Sequence, residues 1–241
     1  MDNEYRRTLR LKSEHVDCFR NMRLSVLMRL FQECCIAHTE ELGMGRDKTL
    51  DRGLLWVVIS EMIEIQRMPV YDEEITLVCY PGKTLHFFFP RQLTVLDRNG
   101  SEIIRIGEFW ALIDQKTRQI IDPMDYGIVI NGEDRPGDIS SPFALPAIEL
   151  PNTETECRAV YSLVDINGHL NNTHYLDMAM DLIGFDELRT LSFKTVKCVF
   201  KKEIPAGAVF DLHWGKVGDT YHFRNEYFAM DLSTDPVAAA A

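Results

Sequence analysis

Val164-Asp165-Ile166-Asn167-Gly168-His169-Leu170-Asn171-Asn172-Thr173-His174-Tyr175 is the stretch on which the reading of this chain turns. A polar loop runs directly into a helix-like segment, Asn172 to Ile183, that closes near Gly184. Gly168 lets the backbone turn where a residue with a Cβ enters only at a cost. Asn171 or Asn172 can cap the helix. Far upstream, Val16-Asp17 repeats the opening of the stretch and precedes an apolar-periodic segment, Leu24 to Leu42. In that register Phe19 falls opposite Asn167, and Asn21 opposite His169. The aspartate is kept in both places; the Asn and His are not.

The surroundings extend the repeat. In the first copy, a strand-like Thr8 to His15 comes before the helix. Strand candidates rich in Val, Ile, Phe and Trp follow it at Leu54–Gln66, Glu74–Tyr80, Leu85–Leu96 and Ile103–Asp114. Asp97-Arg98-Asn99-Gly100 supplies a hairpin turn. In the second, Glu154–Leu163 leads in, and Leu191–Lys202, Val209–Val217 and Tyr221–Met230 follow. One long helix with several antiparallel strands, done twice, predicts an α+β fold built from two copies of one unit. The predicted boundaries are 1–122 and 154–241. The Pro/Gly-rich connector 123–153, which carries five of the ten prolines, is expected to pack across the surface. Pairing Val95-Leu96-Asp97 with Ala229-Met230-Asp231 places Ala241 opposite about Gly107, which predicts an abbreviated last strand.

The 241 residues are 46% hydrophobic and 26% charged, which fits a packed globular protein. The first ten residues are polar, and no apolar run is long enough to span a bilayer. The expected location is therefore cytoplasmic, with no membrane span. The six cysteines form neither a Cys-x-x-Cys pair nor a zinc-like spacing, so no metal is expected and the thiols read as reduced. A net charge of −11 argues against nucleic-acid binding. Arg189 to Lys216 is the exception: six basic residues meet two acidic ones, net +4. This segment is either a solvated strand face or a landing site for an acidic partner.

The chemistry of the quoted stretch is that of acyl transfer. A histidine titrates near neutral pH and serves as acid or base. A helix start offers N–H groups to a carbonyl oxygen gaining charge. Asp165 can fix the imidazole or hold the turn, and the presence of Asp17 without partners keeps the turn reading open.

Asp165-x-Asn167-x-His169-x-Asn171-Asn172-x-x-Tyr175 resembles the signature of the plant and bacterial acyl-acyl carrier protein (acyl-ACP) thioesterases, which are double hotdog proteins. In the first half, the pattern from Trp56 through Pro69 to Asp97, then Phe109-Trp110 and Asp114 to Arg118, is similar to that family as well. The resemblance implies a tandem hotdog fold and hydrolysis of fatty acyl-ACP to free fatty acid, with no cofactor. It implies a catalytic set of Asp165, Asn167, His169 and Glu203, with the first half as the probable acyl-binding half. Phe200-Lys201-Lys202-Glu203-Ile204 resembles the plant enzymes' Tyr-Arg-Arg-Glu-Cys, but Ile204 stands where they carry a cysteine once proposed as nucleophile. Water is therefore the expected nucleophile, activated by Glu203 and His169, with Asn167 and helix-start N–H groups holding the carbonyl. Acyl carrier protein is the expected partner, through Lys194, Lys197, Lys201 and Lys202. An acyl-CoA thioesterase, a non-catalytic acyl-binding module and, more weakly, a hotdog dehydratase are the alternatives. The oligomeric state is open between monomer and homodimer.

Overall fold

The computed structural model describes residues 3–139, 141–151 and 153–236. The first half contains β1 (Tyr5–Arg10), α1 (Leu24–Glu41), β2 (Leu54–Ile65), β3 (Glu74–Pro81), β4 (Phe88–Asp97) and β5 (Glu102–Asp114). The second contains β6 (Glu154–Arg158), α2 (His174–Ile183), α3 (Phe185–Leu188), β7 (Leu191–Phe200), β8 (Val209–Val217), β9 (Thr220–Arg224) and β10 (Phe228–Pro236). Both lead-in strands are shorter than the sequence suggests, because a 3₁₀ turn takes over at Ser13–His15 and at Tyr161–Leu163.

The strands form one antiparallel sheet in the order β1-β3-β4-β5-β2-β7-β10-β9-β8-β6. Read from the centre outwards, the two halves match strand for strand: β2 with β7, β5 with β10, β4 with β9, β3 with β8 and β1 with β6. The join is the β2–β7 pair, from Ser60↔Val199 to Glu64↔Thr195. Helix α1 forms because Leu24, Leu27, Met28, Phe31, Cys34, Cys35 and His38 recur on one buried stripe. The main core runs unbroken through both halves, from Phe31, Ile63 and Leu93 to Val196, Phe223 and Phe228. This is the expected α+β tandem hotdog.

Three expectations need correction. The β4 segment Val95–Asp97 does not correspond to Ala229–Asp231, since the counterpart of β4 is β9 and Ala229–Asp231 lies in β10. Tyr221–Met230 is two strands rather than one. The Asn225 side chain accepts the N–H groups of Tyr227 and Phe228 at 2.8 Å, closing a turn with neither glycine nor proline. The second helix is also short, starting at His174 and ending after ten residues. The last strand, β10, has nine residues against thirteen in β5, and the residues after Pro236 lie outside the described ones.

The connector lies across the first half. Its Ile128 and Ile130 are buried with Leu54, Phe89, Trp110 and Leu112 in a second apolar cluster. Its backbone also accepts hydrogen bonds from Gln92 (Ile139 O, 2.9 Å) and Arg105 (Pro136 O, 2.9 Å).

The register Val16-Asp17/Val164-Asp165 holds in full. One Asp17 oxygen accepts the N–H groups of Phe19 and Asn21, both at 2.9 Å. One Asp165 oxygen accepts those of Asn167 and His169 at 2.8 and 3.3 Å. Each aspartate N–H returns the bond to the residue four places on, at 2.8 Å. The tight position is left-handed in both copies: Gly168 at φ 78°, and Arg20 at φ 68°. Replacing Asp17 with Ala is expected to cost about 1–2 kcal/mol, the scale of a lost side-chain cap; urea denaturation reads it.

A polar row crosses the helix-facing side of the first half. Arg91 stands opposite Glu108, and Glu108 opposite Glu61, on adjacent strands, all three buried. Arg91 bonds His38 Nδ1 at 2.9 Å, and Trp110 Nε1 donates to Glu108 at 2.7 Å. Burial pushes the Glu61 carboxyl up to about 8. Glu108 is raised by burial and then by its neighbour Glu61. An unfolded carboxyl titrates near 4.3. Between about pH 4.5 and 8 the unfolded chain has released a proton that the folded chain keeps, so this group's contribution to stability falls as pH rises. Glu61→Gln is therefore expected to exceed the parent by about 1–3 kcal/mol at pH 8 and by little at pH 4.5. Denaturant titration at the two pH values checks it.

Candidate active site

Asp165, Asn167 and His169 occupy the turn before α2, and Glu203 follows the end of β7. Two backbone contacts bring them together: Leu170 N–H donates to Ile204 O at 2.8 Å, and His169 bridges to Pro205. His169 Nδ1 then stands 3.5 Å from a Glu203 carboxylate oxygen, close enough for an ion pair though not aligned as a hydrogen bond. The two side chains are 25% and 37% exposed, so water reaches both. All four predicted site residues thus lie in one place.

The contacts divide the four by character. Asp165 is spent on the turn: one oxygen takes two backbone N–H groups, and the other receives the Asn167 amide at 3.4 Å. It holds Asn167 and His169 in position. Asn167 is exposed, and its side-chain amide is a donor that faces solvent apart from that long contact.

The helix start does not serve as expected. The N–H of Thr173 goes to Asn171 Oδ1, that of His174 to Asn171 O, and that of Tyr175 to Asn172 O. In the turn itself, the N–H groups of residues 167–171 also have protein acceptors. Stabilisation of a developing oxyanion therefore rests on the Asn167 side chain. Asn171 is the cap, as its bonds to Thr173 N and Oγ1 show. Asn172 accepts from Gln32 of α1 at 3.3 Å, and Tyr175 is buried, its ring stacked 4.3 Å from that of Phe228. Both are structural.

Arg118 was not singled out for this site by the sequence. It forms an ion pair and hydrogen bond with Glu203 from 85 residues away in the chain. Asp114 shapes its loop by accepting the N–H groups of Lys116 and Thr117, and Arg118 adopts a left-handed φ of 56°. The sequence signal was its place within the family-like Asp114–Arg118 stretch; nothing there tied it to Glu203. Nearby, the second apolar cluster contributes Trp56, Val58 and Ile121.

A thiol nucleophile has no support here. Ile204 is fully buried beside Glu203. Burial pushes the Cys34 thiol up to about 12 and raises Cys198 as well, against the thiolate a nucleophile requires. Among the described residues no cluster suited to a metal ion is present. None of their helices is long and apolar enough to cross a membrane.

The basic segment is not one patch. Lys201 and Lys202 lie beside Glu203, bonded to Asn225 O and Glu226. Lys194 sits toward the other end of β7, paired with Asp235 at 3.2 Å. At about 3.3 Å per residue, that is roughly 25 Å away.

Comparison with known proteins places this geometry. Family models described as the Acyl-ACP thioesterase N-terminal domain and the Acyl-ACP thioesterase C-terminal domain match residues 2–126 and 150–236. A chloroplastic acyl-[acyl-carrier-protein] hydrolase of Cuphea viscosissima is 23% identical over 220 residues, covering 86% of this chain and 53% of the relative. A chloroplastic dodecanoyl-[acyl-carrier-protein] hydrolase of Umbellularia californica is 24% identical over 197 residues, covering 74% and 50%. The chain thus spans about half the length of the curated relatives it matches. The fold is shared with a solved acyl-ACP thioesterase from Bacteroides thetaiotaomicron, at TM-score 0.84 and 21% identity over 97% of this chain and 98% of that one. It is shared too with the 12:0-ACP thioesterase from Umbellularia californica, at TM-score 0.82 and 17% identity over 98% of each. With both family models covering most of its length, the chain belongs to the acyl-ACP thioesterase family.

Proposed function

We propose that this chain hydrolyses the thioester of fatty acyl groups on acyl carrier protein, releasing free fatty acid and carrier, with water as the nucleophile. The observation that carries the reading is the His169–Glu203 pair, 3.5 Å apart, water-accessible, and set beside the Asn167 amide by the Asp165 turn.

In this mechanism Glu203 and His169 together take a proton from water as its oxygen attacks the thioester carbonyl. The Asn167 amide donates to the carbonyl oxygen as charge gathers on it. Collapse of the tetrahedral intermediate breaks the C–S bond, and the proton returns to the leaving thiolate of the carrier's prosthetic arm. Asp165 keeps the turn rigid, and Arg118 fixes Glu203 in direction. The fatty chain turns toward the apolar cluster containing Trp56 and Val58, in the half without reactive groups. Lys201 and Lys202 flank Glu203 and suit an acidic carrier. Lys194 and Lys197 lie farther along β7, so their part in carrier contact is secondary.

His169→Ala and Glu203→Gln are each expected to cut acyl-ACP hydrolysis by about 10²–10⁴-fold with folding intact, the usual scale for a lost general acid or base. Full activity in both variants would sink the assignment. Arg118→Ala is expected to lower kcat by roughly tenfold or more while leaving KM close to the parent's, because it positions Glu203 without binding substrate. Rates on matched acyl-ACP and acyl-CoA decide the carrier: the proposal expects the ACP ester to be preferred, and preference for the CoA ester would transfer the activity to that substrate.

A further inference from the structure

The counterpart of the candidate site in the first half is not filled in. Met22 N–H donates to Pro69 O at 2.9 Å, as Leu170 N–H does to Ile204 O. Asn21 bridges to Val70 as His169 does to Pro205. Met68 therefore stands where the second half has Glu203, and Phe19 and Asn21 stand for Asn167 and His169. Beside these residues opens a cleft of about 980 Å³. It runs between Met22 and Met68 on one side and Leu176, Met180, Leu188 and Phe193 on the other.

The cleft has a cause in the sequence. In the register set by Asp17 and Asp165, Gly184 stands opposite Ile36, which lies well inside α1. Helix α1 runs on to Glu41 and covers its half of the sheet; α2 stops at Gly184, whose φ of 84° turns the chain into α3. The sheet face that the end of α1 would cover is left as a cleft wall. Its volume is that of a small-molecule site, and its methionines can reshape around a flexible chain.

We propose that this cleft is a second, non-hydrolytic acyl site, which binds a free fatty acid with its alkyl chain along Met68 and Met180 and its carboxylate at Lys194. The apolar walls suit the chain, and the absence of a base or acid at Phe19, Asn21 and Met68 leaves nothing there to turn a thioester over. The acidic wall places the head group. Asp177 is already bonded to Ser25 at 2.5 Å and to His174 at 2.9 Å, so the α2 side repels a carboxylate. Lys194, on the strand side, is paired only with Asp235, and both are well exposed (43% and 58%), so that pair exchanges readily for a ligand carboxylate. The choice of a fatty acid rests on the proposed hydrolysis, which makes that molecule; the cleft itself does not.

The test is dodecanoate titration of the whole chain labelled with ¹³C-methyl methionine. Met68 and Met180 methyl signals are expected to shift saturably. Lys194→Glu is expected to weaken binding at least tenfold for dodecanoate and to leave dodecanol unchanged. Met180→Lys is expected to abolish the Met68 shift while acyl-ACP hydrolysis continues; Leu188→Lys replaces it should that variant fail to fold. Met68 and Met180 signals that stay still, or a Met68 shift that survives the blocking variant, would overturn the site. Shifts at Met68 and Met180 in a protein that hydrolyses no acyl-ACP would uphold this site and sink the hydrolysis reading instead.

Discussion

The antiparallel pairing of β2 with β7 is the contact on which the rest depends. It joins two five-stranded halves into one sheet and fixes their relation through the register Met62↔Lys197. Because the pairing is antiparallel, the end of β7 runs past the first half, where Glu203 meets Arg118. The same arrangement lays α1 against α2, so that Gln32 reaches Asn172 and Ser25 reaches Asp177. Neither half alone holds a complete set of polar groups. The duplication supplies two equivalent positions, and the side chains at three places in each decide what that position does.

The turn shows how little the backbone had to change. Asp17 and Asp165 make the same bonds, and the strained position is left-handed in both, glycine in one copy and arginine in the other. Asp165 is thereby read as a positioning residue, since its double is present where no chemistry is proposed. What separates the halves is the exchange of Phe19, Asn21 and Met68 for Asn167, His169 and Glu203, together with the early stop of the second helix at Gly184. The first exchange bears on reactivity, and the second on open space.

Much of this was legible in the sequence, for physical reasons. The turn register was readable because an aspartate holding backbone N–H groups is a local device, complete within five residues. The helix α1 and the strands of the first half followed from periodicity and from the Asp97–Gly100 turn. The matching of the last strands went wrong because the Asn225 turn has neither glycine nor proline, so β9 and β10 read as one apolar run. The helix-start donors were overestimated because the Asn171 cap, itself visible in the sequence, already occupies them. Arg118 and the split of the lysines along β7 depend on pairings between distant segments, which no local pattern records. The buried row Arg91–Glu108–Glu61 was hidden for a similar reason. Alternation shows which residues share a face, but only the sheet order places these three side by side.

The central claim is that one half of a duplicated fold hydrolyses an acyl thioester directly with water. Rapid acid quenching of the chain mixed with acyl-ACP, followed by intact-protein mass measurement, tests it most directly. The account predicts free fatty acid accumulating from the first turnover, with the protein at its unmodified mass throughout. Accumulation of protein carrying the acyl mass, or no release of fatty acid at all, would contradict it.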